Sequence, residues 1–373
     1  MRVGTLAVIL GATLVSCSTL DSGARSSPNP TPSSPALSQA ADLRTHLNLL
    51  FGEQVYIVAK ESEAAVDHAG EYTGYANLLA TNTRDLSSLI ERAFGITTAT
   101  QFSLAWTAYN GYLADYTIGV VTHDQGRANA AMSSLSSQSV PRLAEVITEA
   151  SQIPINQITE SLRNQLTATK ELIDDEFAAA STLKYSLVYG GLHGAYTMAS
   201  GLGNMLALRI SQQFPDKFPG DLSAGAVTLR AVINNALQEC AYLATMATEA
   251  AVHGRTAEVV QALSSFTSNT DLMDMELKHP RLKSVWSLEV SAIESYAATG
   301  DPASKKALTE IFVSQLSSIG ATPASLISDQ VNATIRVIDD QRSGSLASLA
   351  DDERAAATAM QPLADSLAAS AQG

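Results

Sequence analysis

Glu53, Tyr56 and Glu63 are residues of this chain whose types and spacing could do chemistry. At 100° per residue of helix the three project to one side. Two carboxylates turned into a bundle interior could ligate a metal or take part in proton transfer. The trio recurs 186 residues later as Glu239, Tyr242 and Glu249. None of these glutamates begins a Glu-x-x-His pair of the kind carboxylate-bridged metal bundles use. The favoured reading is therefore a buried glutamate bonded to a tyrosine or to a neighbouring helix end. Asp174-Asp175-Glu176, echoed by Asp339-Asp340, is the densest acidic cluster and suggests calcium. Adjacent helical positions point 100° apart, however, and Ile173 with Phe177 marks a helix, so a solvated face or inter-helix ion pair is expected instead.

The six histidines, at 46, 68, 123, 193, 253 and 279, show no His-x-x-x-His spacing. His68, His123 and His193 could still meet, and with Glu53 and Glu63 they are the metal candidates, although no metal or cofactor is assigned. No Gly-x-Ser-x-Gly elbow or phosphate-binding glycine loop occurs. Gly190-Gly191 and Gly201-Leu202-Gly203 lie in a helical context and imply close helix packing or a kink. Trp106, Tyr109, Tyr112 and Tyr116 fall on one helical face, with Tyr72 and Tyr75 nearby. Core packing explains this stripe best; an exposed ligand groove is the alternative.

The elements that must position these residues are helices. Leu43, Leu47 and Leu50, then Val55, Val58 and Val66, recur at helical spacing. Thr98-Ala99-Thr100-Gln101 suggests a capping box, and Asp301-Pro302 and Thr322-Pro323 suggest capped helix starts. Between Leu43–Val66 and Leu229–Val252, nine of twenty-four positions are identical, where chance would give about two. Trp106 pairs with Trp286, Ile173-Asp174-Asp175 with Ile338-Asp339-Asp340, and His193 with Arg354, at falling offsets. The expected fold is all-α, two tandem duplicated bundles of five to seven helices at 41–213 and 222–373, with a Pro/Gly linker at 214–221.

The net charge of −14 argues against nucleic-acid binding, which needs basic patches. Arg2 followed by an apolar stretch from Val3 to Val15, too short to span a bilayer, is expected to be a signal peptide over 1–16. Its end, Leu14-Val15-Ser16-Cys17, resembles the lipobox of bacterial lipoproteins. That resemblance implies acylation of Cys17, with two or three acyl chains in the membrane. Ser18 to Gln39, with Pro28, Pro30, Pro32 and Pro35, is expected to be an extended tether within 17–40. The remaining Cys240 has no disulfide partner and reads as a small buried hydrophobe. The expected protein is a lipid-anchored cell-envelope protein on the extracytoplasmic side of a membrane, with a non-enzymatic binding or structural role toward a protein or small molecule. The alternative is a metal- or small-molecule-binding redox or transport accessory using the first-copy carboxylates and histidines.

Overall fold

Nearly half of the side chains in this chain are apolar, and helical periodicity runs through most of them, so burial demands helices packed on several sides. The computed structural model describes residues 35–67, 69–279, 281–319 and 322–371, and every regular element among them is helical. Cys17 and the signal peptide lie outside the described residues, as does His68.

A first set of helices comprises α1 (Gln39–Val66), α2 (Tyr72–Phe94), α3 (Ile96–Val121), α4 (Gln125–Ser134), α5 (Val140–Ser151), α6 (Ile155–Thr182) and α7 (Tyr185–Gln213). A second set comprises α8 (Gly225–Val252), α9 (Thr256–Leu277), α10 (Leu282–Thr299), α11 (Pro302–Lys306), α12 (Val313–Ser317), α13 (Ala324–Ser343) and α14 (Leu346–Ser370). The fourth and fifth helices of each set are joined by a π-helical turn, Leu135–Ser139 in the first and Ala307–Phe312 in the second. Element order thus runs twice through the same series.

Helix ends differ from expectation where tertiary packing overrides local capping. Ser38 caps α1, its hydroxyl accepting from the Ala41 amide at 3.2 Å, so regular structure begins before residue 41. α3 starts at Ile96, directly after the positive-φ Gly95 that ends α2, and the supposed capping Thr98 sits inside the helix. Asp301 caps α11 as expected, accepting from the amides of Ala303 and Ser304. Thr322 does not cap α13; Pro323 holds that position.

The two sets share one continuous apolar core. α1 packs on α8, α2 on α14, and α7 on α9, so each helix that crosses between sets has a counterpart crossing the other way. At the crossing of α1 and α8 the rings of Tyr56 and Tyr242 stack 3.8 Å apart and within 10° of parallel. A residue that stacks on its own repeat mate lies on an internal two-fold axis, as in an isologous dimer. Side-chain bonds follow the same symmetry. Arg44 and Asn48 donate to Asn204 at 2.7 and 2.9 Å, and Arg230 and Asn234 donate to Asp365 at 2.7 and 2.8 Å. Trp106 and Trp286 are both fully buried.

α1 and α7 approach closely at Gly203, where an added Cβ would lie 2.9 Å from the Asn48 amide nitrogen and 3.0 Å from the Leu47 carbonyl carbon. A side chain there must push two backbones apart. Gly201, one turn-fraction away on the same helix, has nothing within 4 Å of such a Cβ. Gly203→Val should therefore cost about 3 kcal/mol, and Gly201→Val should stay within about 0.5 kcal/mol. Urea unfolding of the two variants checks the contrast, and equal costs would contradict the close packing.

Candidate functional site

Lys60 lies on α1 one turn beyond Tyr56 and is 1% exposed. A buried ammonium is costly unless it is paired and hydrogen-bonded. It donates to Glu63 at 2.7 Å and to Glu249 of α8, which joins the two sets of helices. Burial opposes its charge, but Glu249 and Glu63 outweigh burial and hold the ammonium charged. Burial likewise opposes ionisation of Glu63, and Lys60 with Arg255 overcomes it, keeping this carboxyl below its ordinary range. Arg255 donates to Glu63 and Glu258, each at 2.6 Å, and reaches Asp67 at 3.3 Å.

Carboxyls outnumber cations in this cluster, so burial is not fully offset at each of them. Burial and the Glu63 charge push Glu249 up to about 8 and Glu258 up to about 7. Burial raises Glu176 of α6 and Glu353 of α14 as well. Glu353 accepts both the Tyr56 hydroxyl, at 2.8 Å, and the Tyr75 hydroxyl, at 3.0 Å, through one oxygen. The expected pairing of a buried glutamate with a tyrosine does occur, but across helices: Tyr242 donates to Glu53 at 3.4 Å, while Tyr56 serves Glu353.

Two further nodes flank the axis and mirror one another. Glu53 accepts from Arg354 at 2.9 Å and from Asn82 at 2.7 Å. Glu239 accepts from His193 at 2.9 Å and from Asn269 at 2.8 Å. His193 and Arg354, paired in the repeat, therefore occupy equivalent places. The hydrogen bond to Glu239 raises the His193 pKa.

The metal candidates do not form one site. Glu53 and Glu63 are held by different cations, His193 belongs to Glu239, and His123 stacks edge-on against Phe177 at 5.4 Å. Among the described residues no three of His, Cys, Asp and Glu stand together so as to hold a metal ion. Asp174 lies in α6 and accepts from Tyr116 at 2.7 Å and Lys170 at 2.6 Å, while Asp339 accepts from Tyr296 at 2.6 Å and Lys305 at 3.3 Å. The two tyrosine bonds are inter-helix polar ties, while Lys170 and Asp174 share α6. Tyr75, Trp106 and Tyr109 are core residues, with Phe51, Phe102 and Tyr109 rings 5.4–5.7 Å from the indole. Cys240 is fully buried beside the Phe266 carbonyl.

A feature that periodicity did not point to is a groove of about 490 Å³ between α2 and α3. Ala76 and Ala80 of α2 and Gly111 and Ala114 of α3 leave it open, because small residues cannot fill the space between two helices. Glu61 of α1 lies at one end beneath Tyr72, and Arg84 at the other. Glu61 is 5% exposed and makes no salt bridge among the described residues; burial pushes its carboxyl up to about 7, with the Tyr72 hydroxyl opposing. The repeat mates of Glu61, Tyr72 and Arg84 are Ala247, Glu258 and Thr270, so the second set lacks this chemistry. Lys60 and Glu61 escaped sequence reading because neither is matched in the second copy of α1, where Met246 and Ala247 stand. The exchange of Lys60 for Met246 in the repeat was the available signal. No family model, curated protein or solved structure matches the chain.

The raised carboxyls set the pH response. Glu249, Glu258 and Glu289, the last pushed by burial to about 8 with Gln330 opposing, hold protons that the unfolded chain releases near 4.5. The unfolded state thus binds fewer protons between about pH 4.5 and 8, and stability falls as pH rises through that window. Glu63, whose pKa is lowered, loses its contribution only at more acidic pH. The melting temperature should drop by several degrees from pH 5 to pH 8, and Glu289→Gln should shallow that drop while keeping the contact with Gln330. Calorimetry at both pH values measures it; an unchanged slope in E289Q would assign the response elsewhere.

Proposed function

We propose that this chain is a lipid-anchored, extracytoplasmic binding protein, and that the groove between α2 and α3 is where its ligand sits. The observation that carries this reading is the groove itself: an open space of about 490 Å³ whose one end holds a buried carboxyl without a cation. A buried, uncompensated acid is unfavourable in the empty protein and becomes favourable when a ligand supplies the missing charge. In the polar core, by contrast, the cations Lys60, Arg255 and Arg354 are already engaged by carboxylates. Catalysis has no support in the arrangement, because the polar groups of the core are packed against one another and Cys240 is buried with its thiol pKa raised by burial.

The anchor rests on Leu14-Val15-Ser16-Cys17 and on the proline-rich stretch behind it. Acyl chains on Cys17 would hold the helical part outside the cytoplasm, with the stretch to Gln39 as a spacer. No helix among the described residues is long and apolar enough to cross a membrane, so attachment would depend on the lipid.

Two outcomes are expected. Full-length Cys17→Ser protein should move from the detergent phase to the aqueous phase on Triton X-114 partition and lose its acyl mass; retention in the detergent phase would remove the anchor assignment. In scanning fluorimetry, a small-molecule extract of the cell envelope should raise the melting temperature of the full-length protein in detergent, and Ala80→Trp, which fills the groove, should abolish that rise. A rise that survives Ala80→Trp would place the ligand elsewhere.

A further inference from the structure

The shape and the charged ends of the α2–α3 groove specify a ligand class, on the premise that the groove is the binding site. Along α2 the lining runs from Tyr72 to Arg84 and along α3 from Ala114 back to Ser103. At 1.5 Å per residue these stretches span about 18 and 16 Å. A volume of about 490 Å³ drawn out over such a length makes the groove elongated, which favours an extended ligand.

The ends differ in sign. Glu61 closes one end, buried, with no salt bridge among the described residues and with the Tyr72 hydroxyl hydrogen-bonded to it. An ammonium group there would meet a carboxylate that no cation among the described residues pairs. At the other end Arg84 is exposed, bonded through its guanidinium to the Thr81 hydroxyl at 2.8 Å and to no carboxylate among the described residues. Its remaining donors suit a carboxylate in a forked pair. Between the ends, Ser103 and Thr107 line the wall with hydroxyls, and Asn110 is already committed to Gln54 at 3.2 Å and Thr83 at 3.4 Å.

We propose that the groove binds a short linear peptide with free termini, its ammonium end at Glu61 and its carboxylate end at Arg84. At 3.3–3.6 Å per extended residue a span of about 16–18 Å holds about five residues, so a tetrapeptide fits between the two ends with room for its terminal groups. The small side chains of the walls admit the backbone of such a peptide and leave its side chains toward solvent, so recognition falls on the termini and the length.

Calorimetric titration of the full-length protein in detergent with tetra-alanine, N-acetyl-tetra-alanine, tetra-alanine amide and cadaverine separates the possibilities. Tetra-alanine should bind, and capping either terminus should weaken it at least tenfold. Glu61→Gln, which keeps the contact with Tyr72, should weaken tetra-alanine but leave N-acetyl-tetra-alanine unchanged. Arg84→Ala should do the same with respect to the amide. Equal binding of capped and free peptides, or cadaverine binding as tightly as tetra-alanine, would overturn the two-ended assignment. If tetra-alanine fails to bind while Ala80→Trp still removes the extract-induced stabilisation, the groove stands and the peptide class falls. If the stabilisation persists in Ala80→Trp, the groove itself is not the site.

Discussion

The ammonium of Lys60 is the charge around which this fold must close. Removing an isolated ammonium from water costs several kcal/mol even after the protein relaxes, and Lys60 is almost entirely withdrawn from solvent. Its nearest carboxylate on the same helix, Glu63, is itself buried and shared with Arg255. The network closes only when α8 brings Glu249 to Lys60 and the loop after it brings Arg255 to Glu63. The two halves of the chain cannot separate without leaving charges in an apolar surface, which makes the polar cluster a lock between them as well as a contribution to the core. This is the setting in which removal of one member costs most, because the others remain buried and unpaired.

That lock is also where the internal symmetry breaks. Tyr56 stacks on Tyr242, and the Arg44–Asn204 contact answers Arg230–Asp365, yet the mate of Lys60 is Met246. A second lysine at 246 would set two ammonium groups near one axis. A methionine there removes that repulsion and keeps the volume. Likewise Glu353 has Leu192 as its mate, so its two tyrosine bonds occur on one side only. Symmetry supplies the packing, and single substitutions away from it supply the charge balance.

The helices were legible because they rest on local periodicity: Leu43, Leu47, Val55 and Val58 are all buried as their spacing requires. Residues matched between copies also marked the interior correctly, Glu53, Tyr56, Glu63 and their mates being buried without exception. What spacing could not reveal was partnership. Arg354 lies 301 residues from Glu53, and only the crossing of α14 onto α1 and α2 brings them together. Capping failed for the same reason on a smaller scale. Thr98 has the right residue type, but Gly95 offers a tighter stop for α2, and the helix begins as soon as the chain can turn. The α2–α3 groove was invisible to periodicity because it is made by what is missing, side-chain volume at Ala76, Ala80, Gly111 and Ala114.

A residue kept in both copies of a symmetric fold answers to a demand that both copies share, and in this chain that demand is packing. Glu53 and Glu239 illustrate it, each fixed by an amide and a basic side chain in equivalent geometry. Chemistry directed outward has no reason to obey the axis. Glu61, Tyr72 and Arg84 have Ala247, Glu258 and Thr270 as mates, and Glu258 is already drawn inward to Arg255. The same position therefore serves the lock in one half and lines an open groove in the other. Divergence between the halves separates the part of the molecule that holds the fold from the part free to meet a ligand.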